Sequence, residues 1–375
     1  MYLHYEFNDR IYKQSDFGGY LQATSLNFAR FVVYLHKYSH DMTHKILDTS
    51  RCGVIGYGSW ATALVHTLQK NMIEVWWHVT NEEVLESLEA EGRNAKYLND
   101  IEFDTALLHP SSSIDEVVKS CEIVLIAAPS AFLKDTMSGL HETLEGKFIL
   151  SATKGIIPGD YTTITEFFNQ RFSIPYSNLG VISGPSHAEE VSHNRLSYLT
   201  VACKSSENAE IIGKMFATDK VRISYSEDIY GIEYAGILKN IYALASGLAC
   251  GLGYGDNFRA VLASSSAKEL SRFINESYPF ERDTMEAAYL GDLLVTSYST
   301  FSRNRRLGQL IGNGCTVKSA LNEMTMVAEG YYASACIKKI NDRHGIYMPI
   351  ADMVYEILYC KASPRRSMKE LTARL

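Results

Sequence analysis

The sequence predicts an open, doubly wound α/β sheet over residues 49–228, followed by an all-helical domain over residues 229–375. Three observations carry that expectation. Short apolar runs of strand length alternate with helical segments as far as Ser226. A strand, a glycine turn and a helix follow one another without interruption over residues 52–64. Beyond Asp228 no alternating or β-branched run recurs, and the pattern is helical to Leu375.

Residues 1–48 form an extension ahead of the first strand. It is rich in tyrosine and holds one amphipathic run, residues 26–36, to which no chemistry is assigned. Met42 stands near the point where the sheet domain would begin. The first strand, Cys52 to Ile55, breaks at Gly56 and Gly58 and turns into an alanine- and leucine-rich helix over residues 61–68. Gly56 permits the sharp turn, Gly58 has no Cβ to hold a pyrophosphate away from the backbone, and Ala61 lets helix and strand pack closely. The free N–H groups and positive dipole end of that helix then face the phosphates. This is the arrangement of a dinucleotide site. A second strand over residues 73–79 leads into Thr80 and Asn81. An acid there would mark the ribose of NAD and an arginine the 2′-phosphate of NADP; with neither present, the cofactor is NAD or NADP.

Residues 123–127 and 148–152 are further strands, each preceded by a helical segment, as in a parallel sheet with crossover helices. Ligands of open α/β sheets sit beyond the carboxyl ends of the strands, so Lys154 reaches the cofactor crevice unless it is a solvated loop residue. The strand at residues 181–183 runs into Gly184, Pro185 and Ser186, and Ser186 with Glu189 has the spacing of a helix capping box. Strands over residues 198–203 and 221–225 complete the sheet.

The helical domain opens on a run in which Lys239, Asn240 and Ser246 are the only strongly polar residues between Tyr234 and Ala249. Gly236, Asn240, Ala243 and Gly247 form one row of small side chains suited to close packing. A lysine buried there tends toward neutrality, which suits it to exchange protons near pH 7. The competing reading lays its stem along the core with the ammonium in water. Asp292 lies alone in an apolar run and suits a buried ammonium as partner. Ser302 to Arg306 hold the densest basic cluster, and the planar fork of arginine matches phosphate. For Arg305 and Arg306 a solvated helix start is the preferred reading. Glu329 adds one late acid.

With 375 residues, 46% of them hydrophobic, the chain can build two cores. A formal net charge of −7 argues against a nucleic-acid-tracking surface. Seven scattered cysteines without a Cys-x-x-Cys pair suit a reducing compartment and give no metal-ligand spacing. No apolar run reaches the length of a membrane span. The expectation is a soluble cytoplasmic protein with a small-molecule substrate, no nucleic-acid partner, no membrane insertion, no metal, and a possible homodimer.

These motifs, in order and spacing over about residues 50–360, resemble the bacterial-type NAD(P)-dependent glycerol-3-phosphate dehydrogenases. The resemblance rests on Gly56, Gly58, Ser59 and Trp60; Arg93, Tyr97 and Leu98; Lys154 and Gly155; Gly184, Pro185, Ser186, Ala188 and Glu190; Lys239 and Asn240; Gly253, Gly255, Asn257 and Arg259; Gly291 and Asp292; Ser302 to Arg306 with Gly308; and Val327, Glu329 and Gly330. It implies a Rossmann-like nucleotide domain and reversible reduction of dihydroxyacetone phosphate to sn-glycerol 3-phosphate, the head-group precursor of phospholipids. It further implies Lys239 as general acid/base and Lys154 as the second active-site lysine. Gly184, Ser186, Asp292, Ser302, Arg303 and Asn304 correspond to substrate positions, Arg303 as the phosphate clamp. Ser59, Trp60, Ala188, Arg303, Val327 and Glu329 correspond to cofactor positions, beside Gly56, Gly58, Thr80 and Lys154. Thr80 departs from the arginine or histidine frequent in the family, and Ala61 from a glycine. A ketopantoate or 6-phosphogluconate reductase relative is the second enzyme reading, and a silent dinucleotide sensor the third.

Overall fold

The computed structural model describes residues 47–324 and 326–375, so the extension expected over residues 1–48, with its amphipathic run, lies outside the described residues but for its last two. Eight strands form one sheet: β1 (Arg51–Ile55), β2 (Glu74–His78), β3 (Leu108–Ser111), β4 (Ile123–Ile126), β5 (Phe148–Ser151), β6 (Leu179–Ser183), β7 (Ser197–Cys203) and β8 (Val221–Ser226). Their spatial order is β3-β2-β1-β4-β5-β6-β7-β8. The order reverses between β1 and β4, which is where an open sheet of this kind leaves a crevice. Crossovers run through α1 (Ser59–Lys70), α2 (Glu82–Glu91), α3 (Ile114–Ser120), α4 (Ser130–Ser138) and α5 (Ile164–Phe172), then α6 (Ala188–Ser192) and α7 (Ser206–Phe216). Helices cover both faces, so Val54, Ile55 and the four residues of β4 are wholly buried.

Two features differ from the sequence reading. β1 to β6 run parallel, whereas β7 pairs antiparallel with β6 and parallel with β8. The link from Ser183 to Ser197 holds only the five-residue α6. A crossover that carries the chain back to start a parallel neighbour generally uses a full helix, which this link lacks. The second is β3, which the sequence reading lacks: it is a short edge strand containing Pro110, a residue that edges tolerate because one side of the backbone has no partner.

The remainder of the chain is helical. It comprises α8 (Ile229–Gly251), α9 (Asp256–Ser277), α10 (Asp292–Tyr298), α11 (Arg303–Gly312), α12 (Val317–Asn322), α13 (Glu329–His344), α14 (Pro349–Tyr359) and α15 (Pro364–Thr372). Most of these helices pack around α8, where all residues but Tyr230, Cys250 and Gly251 are buried. Its N-cap is Asp228, which accepts from the Gly231 amide at 2.9 Å, from Arg282 Nε at 2.6 Å and from the Tyr289 hydroxyl at 2.7 Å. The small-residue row works at two levels. Gly247 and Gly308 let α8 and α11 touch backbone to backbone, since a Cβ on Gly308 would lie 2.9 Å from the Leu248 nitrogen. Nearer the start of the row, Gly236 faces the Lys154 stem, whose Cγ would lie in ordinary contact, 3.5 Å from an added Cβ.

Candidate active site

The glycine turn after β1 behaves as its two positions require. Gly56 has φ +111°, and a Cβ there would sit 2.5 Å from the Ala128 nitrogen, so no other residue fits. An added Cβ on Gly58 would meet nothing within 4 Å. What Gly58 leaves open is therefore not filled by another described part of the chain. Gly58 also caps α1 with no side chain, so the first-turn N–H groups have no acceptor from the cap. A cavity of about 620 Å³ opens here, lined by Gly56, Gly58, Ser59, Thr80, Arg303 and Val327 among others. Its size and its glycine floor fit a dinucleotide. Thr80 is exposed at its margin and His78 is buried beneath it, with burial lowering the imidazole's pKa.

A smaller cavity of about 210 Å³ adjoins it and shares Gly58, Ser59, Arg303 and Val327. Trp60, Lys154, Ala188 and Glu329 of the expected cofactor set line this second space, together with Ser186, Lys239, Ser302 and Asn304. The Trp60 indole donates to the Ala152 carbonyl at 3.2 Å, and the Lys154 ammonium lies 5.9 Å from its ring centre. Glu329 accepts from the Ser130 amide at 2.9 Å and from the Ser130 hydroxyl at 2.5 Å, which pins the start of α13 to the start of α4. Burial raises its pKa against the pull of those donors and of Arg303.

The charged centre lies where the sheet meets α8. Asp292, wholly buried at the first turn of α10, accepts from Lys239 on one oxygen and from Lys154 on the other at 2.8 Å. Lys154 also donates to the Gly184 carbonyl at 2.8 Å. Lys239 is 6% exposed, which decides against the snorkelling reading. Burial pulls its pKa down toward about 7, with Asp292 opposing and Lys154 adding to the fall. Burial pushes Asp292 up, but the two ammonium groups outweigh it and hold the carboxyl below its ordinary value.

A relay of amides positions this centre. Asn240 donates to the Lys154 carbonyl at 2.8 Å and accepts from Asn304 at 2.9 Å, and Asn304 in turn accepts from the Gly330 amide at 2.9 Å. The turn after β5, α8, α11 and α13 are thereby locked together. Arg303 donates to the Ser59 hydroxyl at 2.7 Å across the cleft. Ser302 is the N-cap of α11, and its hydroxyl accepts from the Arg305 amide at 3.3 Å. The expected capping box at Ser186 does not form: α6 starts later, with His187 at the N-cap, and the Ser186 hydroxyl donates to Gly184 at 3.0 Å instead. Arg306 is exposed as expected, while Arg305 is half-buried and reaches the Cys250 sulfur at 3.8 Å.

The sequence reading assigned no part to two residues that line this space. Asn240 enters the sequence reading as a polar member of the small row and as a residue of the resemblance beside Lys239, with no role attached; its linking role follows from its position one residue after Lys239. His187 went unremarked, although it follows Ser186 directly in the turn beyond β6.

Comparison with known proteins accords with this geometry. Residues 51–209 match the model of the NAD-dependent glycerol-3-phosphate dehydrogenase N-terminus, and residues 228–369 that of its C-terminus. The glycerol-3-phosphate dehydrogenase (NAD(P)+) of Chlorobium chlorochromatii is 33% identical over 308 residues, 82% of this chain and 92% of that protein. Its counterpart from Staphylococcus carnosus is 32% identical over 327 residues, 87% of this chain and 98% of that one. The crystal structure of glycerol-3-phosphate dehydrogenase from Coxiella burnetii aligns with a TM-score of 0.80 at 28% identity, over 86% of this chain and 98% of its own. The chain belongs to the NAD-dependent glycerol-3-phosphate dehydrogenase family.

Proposed function

We propose that this chain catalyses reversible hydride transfer between NAD(P)H and dihydroxyacetone phosphate, giving sn-glycerol 3-phosphate. The observation that carries the reading is the buried Lys239, held with Lys154 on one carboxylate at the inner end of a dinucleotide-sized cleft. When bound, the nicotinamide supplies or accepts the hydride. Lys239 donates a proton to the C2 oxygen as the carbonyl becomes an alkoxide and takes it back in the reverse direction; burial keeps its pKa close enough to neutrality for both. Asp292 holds Lys239 in place and offsets part of the charge of the two ammonium groups. Lys154 stands as the second cation between substrate and cofactor.

Arg303 clamps the substrate phosphate, with Gly184, Ser186, Ser302 and Asn304 framing the three-carbon backbone. Gly56, Gly58, Ser59, Trp60, Thr80, Ala188, Val327 and Glu329 hold the cofactor. In this reading residues 49–228 are the nucleotide domain and residues 229–375 the substrate domain. The free cysteines of the described residues suit the reducing cytoplasm. A homodimer is also proposed, supported by Met285, Leu294 and Tyr298 exposed around a groove of about 700 Å³ beside α9; sedimentation equilibrium at micromolar protein tests it. No helix among the described residues is long and apolar enough to cross a membrane.

Initial rates with NADH and NADPH on dihydroxyacetone phosphate, ketopantoate and 6-phosphogluconate test the assignment. Turnover confined to either of the latter two discards it. Lys239→Met should bind cofactor as before and lose roughly 100- to 10,000-fold in kcat. Full turnover by that variant would remove the proposed proton donor.

A further inference from the structure

We propose that His187 is the residue that recognises the free C1 hydroxyl of the substrate. The inference rests on the dehydrogenase reading above and concerns a group that reading leaves without a partner. With Lys239 at the C2 oxygen and Arg303 at the phosphate, one polar group of dihydroxyacetone phosphate remains, the hydroxyl on C1.

His187 lines the smaller cavity together with Lys154, Lys239, Ser302 and Arg303. Its Nε2 is shielded from solvent and has no hydrogen-bond partner. Buried polar nitrogens are rarely left so, because an unmatched one has given up its water for nothing. The ring centre lies 5.9 Å from that of Phe301, which directly precedes Ser302 and Arg303. His187 thus lies beside the loop that carries Arg303, in the cavity that Lys239 also lines. At the N-cap of α6 its side chain makes no cap bond, so the imidazole is not engaged by its own helix.

The charge state of the ring selects the kind of group it takes. Burial lowers its pKa first, the Lys239 and Lys154 ammonium groups lower it further, and Glu189 and Asp292 oppose weakly. The imidazole is therefore neutral, with one donor and one acceptor nitrogen. A neutral ring is a poor clamp for a phosphate dianion, which the Arg303 guanidinium already serves. A hydroxyl, which both donates and accepts, is its natural match. A site built to hydrogen-bond a substrate hydroxyl discriminates against an analogue without it, because the site's own polar group is then left unpaired.

The test compares dihydroxyacetone phosphate with acetol phosphate, in which hydrogen replaces the C1 hydroxyl, as substrates of wild type, His187→Phe and His187→Gln. Wild type should prefer dihydroxyacetone phosphate. His187→Phe should lose roughly 10- to 100-fold in kcat/KM on that substrate and less than about threefold on acetol phosphate, so that the preference collapses. His187→Gln, whose amide reaches to the depth of Nε2, should retain more of the preference. Equal losses on both substrates, no loss on dihydroxyacetone phosphate, or a wild type indifferent to the hydroxyl would each overturn the assignment. If His187→Phe does not fold, the same comparison is read from His187→Gln, where a hydroxyl-dependent loss supports the proposal and a hydroxyl-independent one refutes it. Failure of wild type to reduce dihydroxyacetone phosphate at all would refute the dehydrogenase reading instead.

Discussion

Replacing Asp292 with asparagine keeps the shape of the buried centre and removes the carboxylate that both lysines share. Both carboxylate oxygens are in use, one by Lys239 and the other by Lys154 at 2.8 Å. The Lys154 repulsion is already present in the wild-type Lys239 titration, so what the variant loses is the pull of the carboxylate. At an effective dielectric constant of about 20, opposite unit charges roughly 4 Å apart attract by about 4 kcal/mol. The asparagine oxygen still accepts a hydrogen bond worth about 1 kcal/mol. The remaining loss of about 3 kcal/mol corresponds to about two pH units in the Lys239 titration. Since Lys239 already titrates near 7, it would be only about 1% protonated at neutral pH in the variant.

The protonated amine is the acid that reduction needs. Wild-type kcat/KM for dihydroxyacetone phosphate should therefore fall as pH rises through about 7. In Asp292→Asn the same limb should appear about two pH units lower, with the rate at pH 7 reduced about 100-fold. Oxidation of glycerol 3-phosphate needs the free amine and should not show this acid shift as a loss at neutral pH. Steady-state rates in both directions from pH 5 to 9, followed by the absorbance of the reduced nicotinamide, supply the profiles. A reductive limb that stays in place, or moves to higher pH, would refute the coupling of Asp292 to the proton donor.

Other consequences follow from packing and burial. Gly308→Ala pushes a methyl group into the α8 backbone, 2.9 Å from the Leu248 nitrogen, and should destabilise the fold by about 1–3 kcal/mol, read as a lowered urea midpoint. An unchanged midpoint would mean that α8 and α11 separate easily. Glu269 is buried on α9, where its carboxylate accepts from the Ile350 and Ala351 amides at 2.9 Å each at the start of α14. Burial raises its pKa to about 7 despite those donors. Its folded value thus exceeds its unfolded one, the native state binds more protons between about 4.5 and 7, and stability falls as pH rises through that window. Glu269→Gln should flatten this decline by roughly 1–3 kcal/mol in urea titrations at pH 5 and 7.5; an unaltered slope would place the titration elsewhere.

Much of the fold is legible because it is locally encoded. The break at Gly56 and Gly58 declares a strand, turn and helix within thirteen residues, and β4 needs only four consecutive aliphatic side chains to be read as a buried strand. The loss of strand pattern after Asp228 coincides with the capped start of α8. Edge features are less legible. Pro110 disguises β3, and the reversal of β7 depends on the path of a short connection, which periodicity does not encode. The capping box at Ser186 had the right spacing, but the chain continues extended through His187 before α6 begins.

For the site, the sequence by itself determined which residue types are available and roughly at which strand ends they fall: a glycine turn for a dinucleotide, Lys154 beyond β5, Lys239 in an apolar helix, Asp292 in an apolar run. Only the tertiary structure decided that Lys239 lies buried and that one carboxylate serves both lysines across 138 and 53 positions of chain. It alone joined Asn240 to Asn304 and left Nε2 of His187 unmatched. The physical reason is that backbone pattern is set by neighbours along the chain. Burial and charge pairing, which fix a proton affinity, are set by neighbours in space.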